Sequence, residues 1–297
     1  MVVLRKSSSE KVFDVFNGIL MCVVLLITVY PFWNQVVTSL SDGYSAYSAG
    51  MLLWPEKVSL KAYEMVLGYS LLWTGLKNSI VRTILGTAIS LVFTSLTAYP
   101  LSKSKLPMNG FFTALIFFTM LFGGGLVPNF LLIKGLGMLD TVWSLVLPGM
   151  IGAFNVFIMR NFFKSIPESL EESAMLDGAG YFRIFFTIVL PLSTPVLATV
   201  ALWVAVGHWN AWFDGMIYIS DKNKILLQTV LQKIIIENNS SDIREIMKRL
   251  QNAEKSNYTG RQLQAAIILV ATIPMIIIYP FVQKYFVKGI MIGAIKG

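Results

Sequence analysis

The chain has 297 residues, of which 55% are hydrophobic and only 13% are Asp, Glu, Lys or Arg. Water-soluble domains carry roughly 25% charged residues, so this composition excludes an ordinary soluble enzyme as well as a disordered chain. The lone cysteine, Cys22, excludes an internal disulfide framework and reads as a small apolar side chain. The net charge of +8 needs no nucleic acid, because loops facing anionic headgroups account for it and no basic-aromatic module is present.

Crossing ~30 Å of hydrocarbon takes ~20 apolar residues in a helix. Six uncharged runs reach or approach that length: 15–41, 83–102, 106–133, 141–159, 184–213 and 262–283. They predict an all-α integral membrane protein with six transmembrane helices in a single domain, 1–297. Pro31, Pro128, Pro148, Pro195 and Pro274 suit packed membrane helices, which tolerate kinks. Helix ends are expected to differ from these run bounds by a few residues, with Arg82 within the second helix. The first run follows Arg5, Lys6 and Lys11, as a signal peptide would, but it is too long, and Tyr30, Pro31, Phe32 and Trp33 stand where cleavage would fall. It reads as a retained helix with an aromatic anchor.

The short loops set the orientation. With the N-terminus inside, the inner segments hold Arg5, Lys6, Lys11, Lys103, Lys105, Arg160, Lys164, Arg183, Lys284, Lys288 and Lys296. The two short outer loops hold only Lys57, Lys61, Lys77 and Lys134. This bias puts both termini in the cytoplasm. The long loop 214–261, with a helix-like stretch at 241–254, lies outside. A loop of that length is expected to be functional, here as a contact for an external protein.

Several chemistries find no support. No phosphate-cradling G-x-x-x-x-G-K-[ST] run occurs. Gly123, Gly124 and Gly125 read as a helix irregularity inside the third run. One histidine, His208, cannot build a metal site with one distant cysteine and reads as interfacial. Acidic residues avoid the runs, which argues against a secondary transporter with a carboxylate relay.

The inner segment 160–183 is organised as more than a connector. Pro167 and Glu168 start a short helix, with acids where the helix dipole favours them. Leu170, Ala174, Met175 and Leu176 form an apolar face opposite Glu171 and Glu172. Asp177 and Gly178 end the helix, glycine supplying a left-handed cap. Such a helix either docks into a groove on another protein or rests on headgroups.

The residues favour docking. Glu172-Ser173-Ala174, then Gly178, then Ile188-x-Leu190-Pro191 resembles the EAA motif of membrane subunits of binding-protein-dependent ABC importers, with serine for the middle alanine. The flanks 161–167, His208-Trp209-Asn210 and 289–297 look like the carbohydrate-uptake branch. The chain is similar there to the smaller maltose-transporter membrane subunit, and closer still to permeases for oligosaccharides or polysaccharide fragments such as alginate or pectin-derived glycans.

The resemblance implies a type I importer permease fold with six helices in the bacterial inner membrane, forming half of a pathway with a second permease subunit. Two partner ATPase subunits carry the ATP and magnesium, an extracellular or periplasmic solute-binding protein delivers the sugar, and this chain binds no cofactor or metal and catalyses nothing. It implies ATPase coupling through Glu172, Ser173, Ala174, Asp177, Gly178, Ile188, Leu190 and Pro191, with Ala174 and Gly178 allowing close packing. In the cytoplasmic tail 284–297, the glycines Gly289, Gly293 and Gly297 allow 288–297 an extended path, toward a partner or along the headgroups; the resemblance implies an ATPase contact there, through Gly289, Gly293, Lys296 and Gly297. Trp209, Asn210, Trp212 and Phe213, with Tyr218 nearby, either line the outer mouth or form an aromatic belt. The same architecture serving an amino acid, peptide or ion stays open.

Overall fold

The structure is a computed structural model that describes residues 7–42, 53–236 and 260–294. Arg5, Lys6, the stretch 241–254, Lys296 and Gly297 lie outside the described residues. The described chain is helical, with one isolated antiparallel bridge, Ser41 to Val58, and it divides into two compact units, 1–69 with 234–272 and 70–233 with 273–297.

In the first unit, α1 (Ser8–Leu40) begins at Ser7, whose N–H donates to the Glu10 carboxylate at 2.8 Å, and runs through Pro31. Its side chains from Val12 to Phe32 are largely exposed, as a lipid-facing helix requires. Beyond it, α2 (Lys61–Leu67) places the Tyr63 hydroxyl 2.8 Å from that of Ser39. The buried Gln262 side chain, near the start of the last helix, donates to the Ser41 carbonyl at 2.5 Å.

The second unit is built on α3 (Ser70–Ser102). Gly75, Ser79, Arg82, Gly86, Ser90, Thr94 and Ala98 are buried at three- and four-residue spacing, the small-residue stripe that lets membrane helices approach closely. Against it pack α7 (Ala153–Lys164) and α11 (Thr194–Asn210). Met159, Phe163, Ile184, Phe185, Val189 and Val200 close the core with Ala98 and Tyr99. Arg82 is thus well inside its helix.

Two helices, α1 and α3, are long and apolar enough to cross a bilayer unbroken, and two bent pairs raise the number to four among the described residues. The six uninterrupted runs of the sequence are therefore not six straight helices, and the breaks have local causes. Run 106–133 becomes α4 (Asn109–Leu121) and α5 (Leu126–Gly135), bent by 110° at the glycine triplet, where Gly125 has φ +81°. Run 141–159 is split between α6 (Trp143–Val146) and α7 by Pro148 and Gly149, the latter at φ +75°. Run 184–213 bends by 80° at Ser193, between α10 (Leu190–Leu192) and α11. The last helix, called α14 here (Gly260–Ala294), passes through Pro274 and Pro280 and carries Gly289 and Gly293 in helical backbone. The extended path expected for the tail is not what residues 288–294 adopt.

Candidate functional site

The segment after α7 folds as the short-helix reading requires, except that one of its acids is buried. Pro167 precedes α8 (Glu168–Leu176), whose first turn carries Glu168 and Glu171. At the other end the Ala179 N–H donates to the Ala174 carbonyl at 2.9 Å and the Gly178 N–H to the Met175 carbonyl at 3.0 Å. This pair of bonds is a Schellman cap. Gly178 supplies its left-handed residue at φ +80°, and a Cβ there would meet nothing within 4 Å. Within this chain Gly178 is required for its backbone angle and not for close packing. Ala174 is half-buried and packs on the core.

Apart from Ala174, the apolar side chains of α8 are exposed. Leu170 and Met175 are exposed and Leu176 is 90% exposed, as is 76% of Phe182 in α9 (Tyr181–Ile184). The residue α8 buries is Glu171, at 5% exposure. Its carboxylate accepts a hydrogen bond from Lys103 Nζ at 2.5 Å and one from the Tyr99 hydroxyl at 3.2 Å. The two acids placed together opposite the apolar residues part company: Glu171 is buried, whereas Glu172, with Ser173 and Asp177, is exposed. Burying a carboxylate is tolerable when a cation and further donors satisfy it, and Lys103 and Tyr99 do so.

Beside these residues a cavity of about 700 Å³ opens between the C-terminal end of α3, loop 103–107, α8 and α9, with Tyr99, Lys105, Glu172, Met175 and Phe182 in its wall. The last carbonyls of α3 would otherwise be orphaned. Arg160 Nε donates to that of Leu101 at 2.8 Å and Asn109 to that of Lys103 at 2.7 Å. After α9 the chain widens into a π-helical turn, Phe185–Val189, a geometry that recurs at functional sites. Ile188 and Leu190 pack on the core from here, while Pro191 is exposed.

At the far end of α11, His208 lies against Gly86 of α3 and is half-buried, not merely interfacial. Trp209 is buried, whereas Asn210 and Phe213 are exposed. Trp212 and Phe213 meet edge to face at 5.6 Å. Next comes α12 (Phe213–Tyr218), with Asp214 paired to Arg82. Asn78 and Ser79 fasten the short link between the 3-10 turn Lys222–Lys224 and the helix Leu227–Ile236: Asn78 donates to the Ile225 carbonyl at 2.9 Å and Ser79 Oγ accepts the Leu227 N–H at 2.9 Å. Sequence reasoning missed Glu171, Lys103, Tyr99 and the Arg82–Asp214 pair as interacting groups. The one signal for the last was a lone arginine beside an apolar run.

Residues 72–292 match the family described as binding-protein-dependent transport system inner membrane component. The chain is 39% identical over 288 residues to the polygalacturonan/rhamnogalacturonan transport system permease protein YtcP of Bacillus subtilis (strain 168), covering 97% of this chain and 99% of that one. It is 38% identical to protein LplC of the same organism, covering 99% and 98%. Its fold matches a chain of a bacterial ABC transporter involved in the import of the acidic polysaccharide alginate, with a TM-score of 0.89 at 35% identity, covering 96% of this chain and all of that one. On its sequence and its helical architecture, the chain belongs to the inner-membrane components of binding-protein-dependent transport systems.

Proposed function

We propose that the chain is one of two permease subunits of an ATP-driven importer for oligosaccharides or polysaccharide fragments, and that α8 is its docking helix for an ATPase subunit. The observation that carries this reading is the exposed apolar patch where α8 meets α9. Leu176 and Phe182 stand in the open on either side of a Schellman-capped turn, in the segment that matches the EAA spacing. Exposed apolar groups gathered at one turn mark a binding surface.

In this reading Glu172, Ser173 and Asp177 meet the ATPase, and Ile188, Leu190 and Pro191 transmit its motion into α11. Gly289, Gly293, Lys296 and Gly297 add a second ATPase contact. The subunit has six spans with both termini cytoplasmic. It performs no covalent chemistry and holds no cofactor, since ATP and magnesium belong to the ATPases. A solute-binding protein outside delivers the cargo, and Trp209, Asn210, Trp212 and Phe213 belong to the region of the outer mouth. The relatives named for polygalacturonan, rhamnogalacturonan and alginate make uronic-acid glycans the first substrates to try.

The test is uptake into liposomes by the complex purified through a tag on this chain, with its binding protein. ATP-dependent entry of labelled trigalacturonate or an alginate trisaccharide supports the reading. Entry of a tripeptide or an amino acid in place of every glycan overturns the sugar assignment, and uptake independent of ATP overturns the importer class.

A further inference from the structure

We propose that Glu171 is a positioning residue that fastens the coupling helix α8 to the C-terminal end of α3, so that the two move as one body when the ATPases close. The proposal rests on the docking-helix reading above and adds the route by which motion of α8 enters the bundle.

The backbone alone does not supply such a route. α8 joins α7 through Ser165, Ile166 and Pro167, and α9 through Asp177, Gly178, Ala179 and Gly180, two short links that hold its ends but not its tilt. The side chain of Glu171 does hold it. Its two carboxylate oxygens are taken by two different residues at the end of α3, Tyr99 of its last turn at 3.2 Å and Lys103 immediately after it at 2.5 Å. The Lys103 ammonium also lies 4.9 Å from the centre of the Tyr99 ring, so the three groups brace one another.

Tyr99 in turn is wedged between Phe163 at the end of α7, 6.4 Å between ring centres, and Phe185 in the π-helical turn, 5.1 Å away. One buried cluster therefore touches α3, α7, α8 and the start of the helix that leads into α11. Tilting α8 away from α3 would strand a carboxylate at 5% exposure without its cation, which is far costlier than moving both helices together.

The experiment uses spin labels at Ser104→Cys and Ser169→Cys, both exposed positions, in a Cys22→Ser background. Inter-label distances are recorded for the permease in lipid nanodiscs and for the assembled transporter, without nucleotide and trapped with ATP and vanadate. The expected result is one narrow distance distribution common to all states. Glu171→Gln should broaden it at least twofold in the nanodisc sample and split it between the two nucleotide states.

The exchanged pair Glu171→Lys with Lys103→Glu should restore the narrow distribution, because the Tyr99 hydroxyl serves equally as donor or acceptor. A wild-type distance that shifts by several ångströms on trapping overturns the proposal. So does an unchanged distribution in Glu171→Gln, or an exchanged pair as broad as the single variant. The nanodisc arm needs no ATPase. Its result therefore stands apart from the docking-helix reading, which fails if no ATPase associates with the wild-type chain.

Discussion

Arg82 and Asp214, 132 positions apart, form a two-pronged ion pair that joins the middle of α3 to the first turn of α12. One nitrogen of Arg82 lies 3.1 Å from Asp214 Oδ1 and also donates to the Ala211 carbonyl at 3.2 Å. The arginine side chain is 3% exposed and the aspartate 29%, so removing the acid leaves a buried cation without its partner. Asp214→Ala is expected to cost about 3 kcal/mol, the low end for a broken buried pair because the aspartate is partly solvated. The double change Arg82→Met with Asp214→Ala should recover at least half of that. Thermal unfolding of the purified permease in detergent measures both, and equal melting temperatures for wild type and Asp214→Ala would contradict the pairing.

Gly178 separates two reasons for a small residue at a bend. At φ +80°, with open space around its missing Cβ, substitution is penalised by backbone strain of about 1–2 kcal/mol whatever the side chain's size. Gly178→Ala and Gly178→Leu should thus weaken the cap equally in the isolated permease, and Gly178→Asn less than either. In the assembled transporter Gly178→Leu should also uncouple uptake from hydrolysis. Amide hydrogen exchange at Ala179 follows the cap, and the ratio of glycan taken up to ATP hydrolysed follows the coupling.

A steric limit governs Gly86 instead. A Cβ there would collide with the His208 imidazole, so Gly86→Ala should drive α3 and α11 apart and lower the melting temperature. Adding His208→Ala removes the obstacle and should return most of the loss. If the second change made matters worse, the contact would not be the cause.

Asp140 gives the protein an acid-sensitive clamp. Its carboxylate accepts the N–H groups of Asp221 at 2.9 Å and Ser220 at 2.5 Å, which hold it below the ordinary carboxylate range, Lys224 adding to the effect. A carboxyl group whose folded value is depressed contributes stability above its unfolded value and loses it as pH falls through the folded one. The loop 218–224 should therefore stay docked at neutral pH and loosen only in acid more extreme than an ordinary aspartate would require. Limited proteolysis of this loop across a pH series, with Asp140→Asn as the pH-insensitive reference, checks the sign.

Composition reveals the helical membrane class because apolar content is a property of the whole chain. Positions of breaks are not. The runs 106–133, 141–159 and 184–213 look continuous in hydropathy. The glycine triplet marks the irregularity in the first of them, where the chain bends at Gly125, whereas Gly149 and the local turn at Ser193 give no comparable signal. The Gly178 cap was legible because Asp-Gly after a helical stretch has a local cause. The burial of Glu171 was not, since its partners lie 68 and 72 positions away. Amphipathic counting assigns an acid to the wet face by default, and here a lysine and a tyrosine on another helix reverse that assignment. Lys103 could be read for topology but not for pairing, because charge counting ignores distance.

The helix α4 has no buried side chain, although it carries Phe111, Phe112, Phe117, Phe118 and Leu121. Its backbone bonds are closed internally, so lipid alone is enough to keep it helical. Asn109 holds the end of α3, Phe117 meets Phe157 of α7 at 6.4 Å between ring centres, and Ile116 packs on the core, so that side of the helix is tied to its own chain. The exposed rings of Phe111, Phe112 and Phe118 are not held in this way, and apolar residues of many shapes would serve there equally. Whatever lies against that outer side, acyl chains or a neighbouring subunit, is free to select those side chains, which leaves it the place where adaptation to a new neighbour is easiest.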